Sequence, residues 1–130
     1  MAGCRAGVIG WCVLAAAGCR APPAPPAPSP ADVETALALA VGLLEARDHV
    51  GFVERFVPPA DLDCAAAAGD TPADVAAARL ADPGPLLARL RAARRAAPAF
   101  GDRGATAVFE AGGARVVFRR VDGVWYLDWA

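Results

Sequence analysis

Lysine, asparagine and glutamine are absent from this chain of 130 residues. Its 13 basic side chains are therefore all arginine, set against 14 Asp and Glu for a formal charge of −1 at pH 7. That balance, with no basic stripe, argues against a nucleic-acid partner. The arginine-only set and the abundance of alanine read as a compositional bias of the source, such as a GC-rich genome, rather than as function. Polar reagents for chemistry are scarce. Ser29 is the only serine and lies in a proline-rich stretch, which argues against a Ser–His–Asp triad. His49 is the only histidine, with no cysteine pair or acid cluster at ligand spacing, so no metal or other cofactor is expected; beside Asp48 it reads as a capping or solvated residue. No Gly-rich loop lies between a strand and a helix to cradle a phosphate, because Gly112-Gly113 falls inside a hairpin pattern.

What is present begins at the N-terminus. Arg5 precedes an apolar core over 6–17, which leads through small residues to Cys19. A core of roughly a dozen residues is too short to span the ~30 Å of a bilayer interior, and the layout is that of a secretory signal peptide. Ala16-Ala17-Gly18-Cys19 resembles the lipobox of bacterial lipoproteins, although Ala16 stands where that pattern favours leucine. Cys4 and Cys12 lack the combination of apolar core and small residues before them. The resemblance implies a signal peptide over 1–18, removed in the mature chain, and an acyl chain such as palmitate on Cys19. Residues 20–30, Arg-Ala-Pro-Pro-Ala-Pro-Pro-Ala-Pro-Ser-Pro, suit an extended polyproline II spacer at about 3.1 Å per residue. The expected partner is a membrane, through the lipid anchor, and the expected location is the cell envelope. Removing 18 of 130 residues leaves 112, enough for one small domain over 31–130. In that mature chain Cys64 would be a lone thiol without a nearby base, more plausibly buried than reactive.

Two helix starts share one grammar. Ser29-Pro30-Ala31-Asp32 and Thr71-Pro72-Ala73-Asp74 place a hydroxyl at the N-cap, proline at the first helical position and an acid two residues later. The first predicts a helix to about Arg47, with Val33, Leu37, Ala40, Val41 and Leu44 on one stripe. Asp48 is expected to cap a short helix carrying Phe52 and Phe56, and Pro59–Leu62 to add a turn. The second start predicts a helix from Pro72 to about Leu80, and Asp82-Pro83 caps another with Leu86, Leu87, Leu90 and Ala93 on one face. Arg89, Arg91, Arg94 and Arg95 read as a solvated face; contact with anionic headgroups is the functional alternative.

The last third changes period. Thr106–Ala111, Ala114–Val121 and Val124–Trp129 read as strands joined by the two-residue loops Gly112-Gly113 and Asp122-Gly123. Those loops set the register. They pair Glu110 with Arg115, Phe109 with Val116, Phe118 with Leu127 and Val116 with Trp129, and place Arg119 opposite Tyr126 for a cation–π contact. One face then carries Ala107, Phe109, Val116, Phe118, Trp125, Leu127 and Trp129, and must be covered by the helices.

The order predicts an α+β fold: N-terminal helices packed on one face of a C-terminal antiparallel meander of three strands, with room for another near Pro98–Phe100. A long first helix, a short Phe-bearing helix and a final Asp122-Gly-Val-Trp-Tyr-Leu-Asp-Trp129 strand resemble the NTF2-like (cystatin-like) superfamily, in particular small bacterial lipoproteins that carry such a domain. The resemblance implies a non-enzymatic binding or scaffolding domain, with an envelope protein or a small hydrophobic ligand as partner. Its alternative implication is a ligand binder or enzyme with a pocket between helices and sheet, for which Asp128 and Tyr126 are the candidate groups; the register points both away from the helix-covered face. No catalytic residue is therefore assigned.

Overall fold

A computed structural model describes residues 30–129. The expected signal peptide, Cys19, Ser29 and most of the proline-rich stretch lie outside the described residues. Five helices precede the sheet: α1 (Pro30–Glu45), α2 (His49–Phe56), α3 (Pro59–Ala67), α4 (Pro72–Arg79) and α5 (Gly84–Ala93). Four antiparallel strands follow, β1 (Ala99–Gly101), β2 (Thr106–Ala111), β3 (Ala114–Val121) and β4 (Val124–Leu127), in the order β1-β2-β3-β4. The sheet is open, since β1 and β4 do not pair. The fold is α+β as expected, with one strand more than the three read with assurance. β1 adds Phe100↔Ala107 pairing at the sheet edge and is separated from β2 by a 3-10 turn, Asp102–Gly104.

Both hairpins follow from their turns. Gly112 and Gly113 have φ of 57° and 81°, and Asp122 and Gly123 have 51° and 79°. Two consecutive positive φ values match the right-handed twist of the flanking strands, and Gly and Asp are among the residues that tolerate them. The register is as expected through Phe118↔Leu127 and Val121↔Val124. The face assignment holds too. Ala107, Phe109 and Phe118 are wholly buried, and Val116, Trp125 and Leu127 nearly so, while Glu110, Arg115 and Arg119 are exposed.

Val33, Leu37, Ala40, Val41 and Leu44 bury the predicted stripe of α1. Asp48 caps α2, its carboxylate accepting from Gly51 N at 3.0 Å. That places Phe52 and Phe56 inward with ring centroids 5.2 Å apart. Phe56 meets Phe118 edge-on at 6.2 Å, and Phe118 meets Phe109 at 6.0 Å. A line of aromatic rings therefore joins α2 to the middle of the sheet. Arg55 adds a polar tie, donating from Nη1 to the Trp125 carbonyl on the edge strand at 2.9 Å. α3 is longer than the single turn expected and buries no side chain.

Trp129 departs from expectation. The ladder's last pair is Phe118↔Leu127, followed by one bond from Asp128 N to the Val117 carbonyl at 2.9 Å. Trp129 then leaves β3 and lies half-buried, edge-on to Phe52 at 5.5 Å and 89°. An aromatic contact to α2 replaces pairing with Val116. The cation–π contact of Arg119 with Tyr126 gives way to an ion pair, Arg119 to Asp128 at 3.1 Å, because a carboxylate two residues further along the same face offers a full charge.

The buried rings set the order of core sensitivity. Phe118→Ala is expected to destabilise by about 3–5 kcal/mol, the range for deleting a buried phenyl ring. Trp129→Ala should cost less, and Arg119→Ala, which removes an exposed pair, less than about 1 kcal/mol. Urea unfolding of the three variants checks the ranking.

Candidate functional site

The described residues most suited to a binding role converge where α4 and α5 meet the ends of β3 and β4. α4 is fixed at its start by a capping box. Thr71 Oγ1 accepts from Asp74 N at 3.2 Å, and Asp74 Oδ2 accepts from Thr71 N and Thr71 Oγ1, each at 2.8 Å. The backbone bond from Thr71, then the hydroxyl bond, hold the Asp74 carboxyl below its ordinary range. α4 ends on Arg79, and Leu80 is buried as the chain turns.

The expected cap of α5 by Asp82 does not form. Pro83 takes the N-cap position, no side chain caps the helix, and α5 begins at Gly84. The Asp82 carboxylate is left to line the space beneath. Beyond it Leu86 and Arg89 face the sheet end, and Leu90 and Ala93 enter the core.

Between these helices and the strands lies a cleft of about 550 Å³. Its floor includes Val116 and Leu127, which are 4% and 3% exposed and belong to the core. Trp129 forms a wall, with the Arg79 guanidinium 5.6 Å from its ring centre. Among the described residues, the buried Nε1 of Trp129 has no hydrogen-bond acceptor. Three guanidiniums, Arg79, Arg89 and Arg115, and two carboxylates, Asp82 and Asp128, line the cleft. Asp128 is engaged by Arg119. Arg115 lies 3.7 Å from Glu110, in a pair more than 60% exposed on both sides, which binds weakly. Among the described residues, neither Arg79 nor Arg89 takes part in an ion pair.

Of the residues singled out from sequence, Asp128 belongs to this cleft and Tyr126 does not. Tyr126 sits half-buried on the same sheet face as Asp128 but does not line the cleft. His49 opens α2 beside a separate hollow formed with Glu45, Leu87 and Arg91, its Nε2 buried and without a partner among the described residues. Arg91 is drawn out of the arginine run into a tie between α5 and α1, with Glu45 at 2.9 Å. Among the described residues no three His, Cys, Asp or Glu gather to hold a metal, and no helix is long and apolar enough to cross a membrane. In the full-length chain Cys64, half-buried on α3, is disulfide-bonded, and Cys4, Cys12 and Cys19 all lie outside the described residues.

Arg79, Arg89 and Arg115 were not singled out together, because they come from three elements and meet only in the folded chain. The one local hint is that Arg79 and Arg89 flank the Asp82-Pro83 helix break. Compared with protein-family models, curated proteins and solved structures, the chain matches none of them.

The capping box gives α4 a pH signature. A carboxyl lowered in the folded state contributes stability above its unfolded value, near 4, and loses it as pH falls through the lowered folded value. Asp74→Asn should therefore flatten the acid side of the stability–pH curve below about pH 4. Thermal melts of both proteins between pH 2 and 7 check this.

Proposed function

We propose that this chain is a lipid-anchored envelope protein whose α+β body is a small, non-enzymatic binding module of the NTF2-like kind. The observation that carries the binding role is the cleft: an apolar floor, a tryptophan wall and the guanidiniums of Arg79 and Arg89, in no ion pair among the described residues, set between helices and sheet. NTF2-like kinship is supported by helices preceding an antiparallel sheet and covering one of its faces, with the cleft beside them. A rim without buried acid favours binding over catalysis. Every buried core residue is apolar, and Phe109 and Phe118 close the core that an interior pocket would occupy. The anchor is supported by Ala16-Ala17-Gly18-Cys19 and the proline-rich spacer that follows. A spacer of that kind holds a folded body clear of the bilayer while the acyl groups, at about 0.8 kcal/mol per buried methylene, keep it attached.

Acylation and the disulfide constrain each other. A thioether and a disulfide both use the sulfur, so Cys19 cannot carry lipid and also bridge Cys64. The anchored form is expected to begin at Cys19, to carry acyl mass, and to leave Cys64 open to alkylation in denaturant without reductant. Cys19→Ala should lose acyl labelling and leave the membrane fraction. A full-length mass without acyl groups, with Cys64 alkylated only after reduction, would exclude the anchor.

A further inference from the structure

We infer that the cleft between α4–α5 and the ends of β3 and β4 takes a single-chain amphiphile with an anionic head, a carboxylate or phosphate monoester, placed among Arg79, Arg89 and Arg115. The inference rests on the reading of this domain as a binding module and adds the chemistry of its ligand. The volume, about 550 Å³, falls in the range of small-molecule sites. The lining divides by chemistry. Pro85, Leu86, Val117 and Trp129 offer accessible apolar surface beside the buried Val116 and Leu127, which suits an alkyl chain. The guanidiniums lie over that surface. Arginine's planar fork of donors matches the oxygens of a carboxylate or phosphate, and such charge-assisted bonds are about twice as strong as neutral ones.

The acids in the lining do not cancel this charge. Asp128 is held by Arg119, which lies outside the cleft lining, and Asp82 stands alone against three arginines. Arg115 is held only by an exposed contact of 3.7 Å to Glu110, so an anion can recruit it at small cost. Trp129 presents a broad apolar face with Arg79 above it, and a buried Nε1 that lacks an acceptor among the described residues. An uncharged apolar ligand would leave the guanidiniums unmatched. A bare inorganic anion would leave the floor wet.

The test is titration of the full chain with octyl phosphate, octanol and inorganic phosphate, read by calorimetry and tryptophan fluorescence. Octyl phosphate is expected to saturate, with octanol and inorganic phosphate each at least tenfold weaker. Arg89→Gln should weaken octyl phosphate at least fivefold and leave octanol unchanged. Arg89 is exposed, so this variant keeps the core intact, whereas Arg79→Gln also removes the contact to Trp129. Octanol binding as tightly as octyl phosphate, or an Arg89→Gln variant equal to the parent, overturns the anionic-head assignment while leaving a binding cleft in place. No saturable binding of any probe overturns the binding-module reading as well. Attachment to phosphatidate vesicles without response to monomeric octyl phosphate assigns the arginines to a membrane surface and also overturns the inference.

Discussion

The packing of α2 on the sheet through Phe56 and Phe118 holds the two halves of this domain together. α5 shares the task, packing Leu90 and Ala93 into the core against β2 and β3. The sheet has one apolar face, and α2 alone supplies two phenyl rings to it, with Phe109 extending the contact across β2. Aromatic rings meeting edge-on contribute about 0.5–1.5 kcal/mol per pair beyond the burial of their area. α1 and α5 then close around this line from either side, with the Arg91–Glu45 pair at their exposed junction. The short α2 helix, positioned by the Asp48 cap, is thus the hub on which longer elements converge.

The cleft arises at the margin of that core. β4 stops pairing after Leu127, and Trp129 turns toward Phe52 instead of following β3. The sheet end is left uncovered by its own strand. α4 and α5, with the Asp82-Pro83 break between them, line the cleft there with Arg79, Asp82, Pro85, Leu86 and Arg89. Core and cleft share Val116 and Leu127, so the same residues stabilise the fold and form the floor of the site. Substitutions there would confound stability with binding, whereas the exposed guanidinium of Arg89 separates them.

Much of the architecture was legible in the sequence where local chemistry and long-range packing agree. Gly112-Gly113 and Asp122-Gly123 have few conformations open to them, and they fix both the pairing and the faces of three strands. Thr71 and Asp48 identify helix starts through bonds made within three residues. Other elements carry no such signature. β1 is three exposed residues without alternation, and pairing with β2 alone makes it a strand. α3 shows no apolar stripe: none of its residues is fully buried, and Leu62 packs only at the margin of the core. Asp82 looked like a cap, but Pro83 displaced the helix start by one residue. The cleft was illegible for a different reason: its guanidiniums are 79, 89 and 115 in the chain, and only tertiary structure makes them neighbours. Cys19, on which the proposed anchor rests, lies outside the described residues.

An open sheet has two margins, and unpaired backbone along a margin is a template on which a foreign strand can grow. Here one margin is three residues long and the other four. On the longer one, the Trp125 carbonyl is already taken by Arg55 from α2. Little ladder remains for another copy to extend. A chain without lysine lacks the side chain most often used to guard such margins. Brevity and a borrowed guanidinium do that work instead, so copies can crowd together without fusing edge to edge.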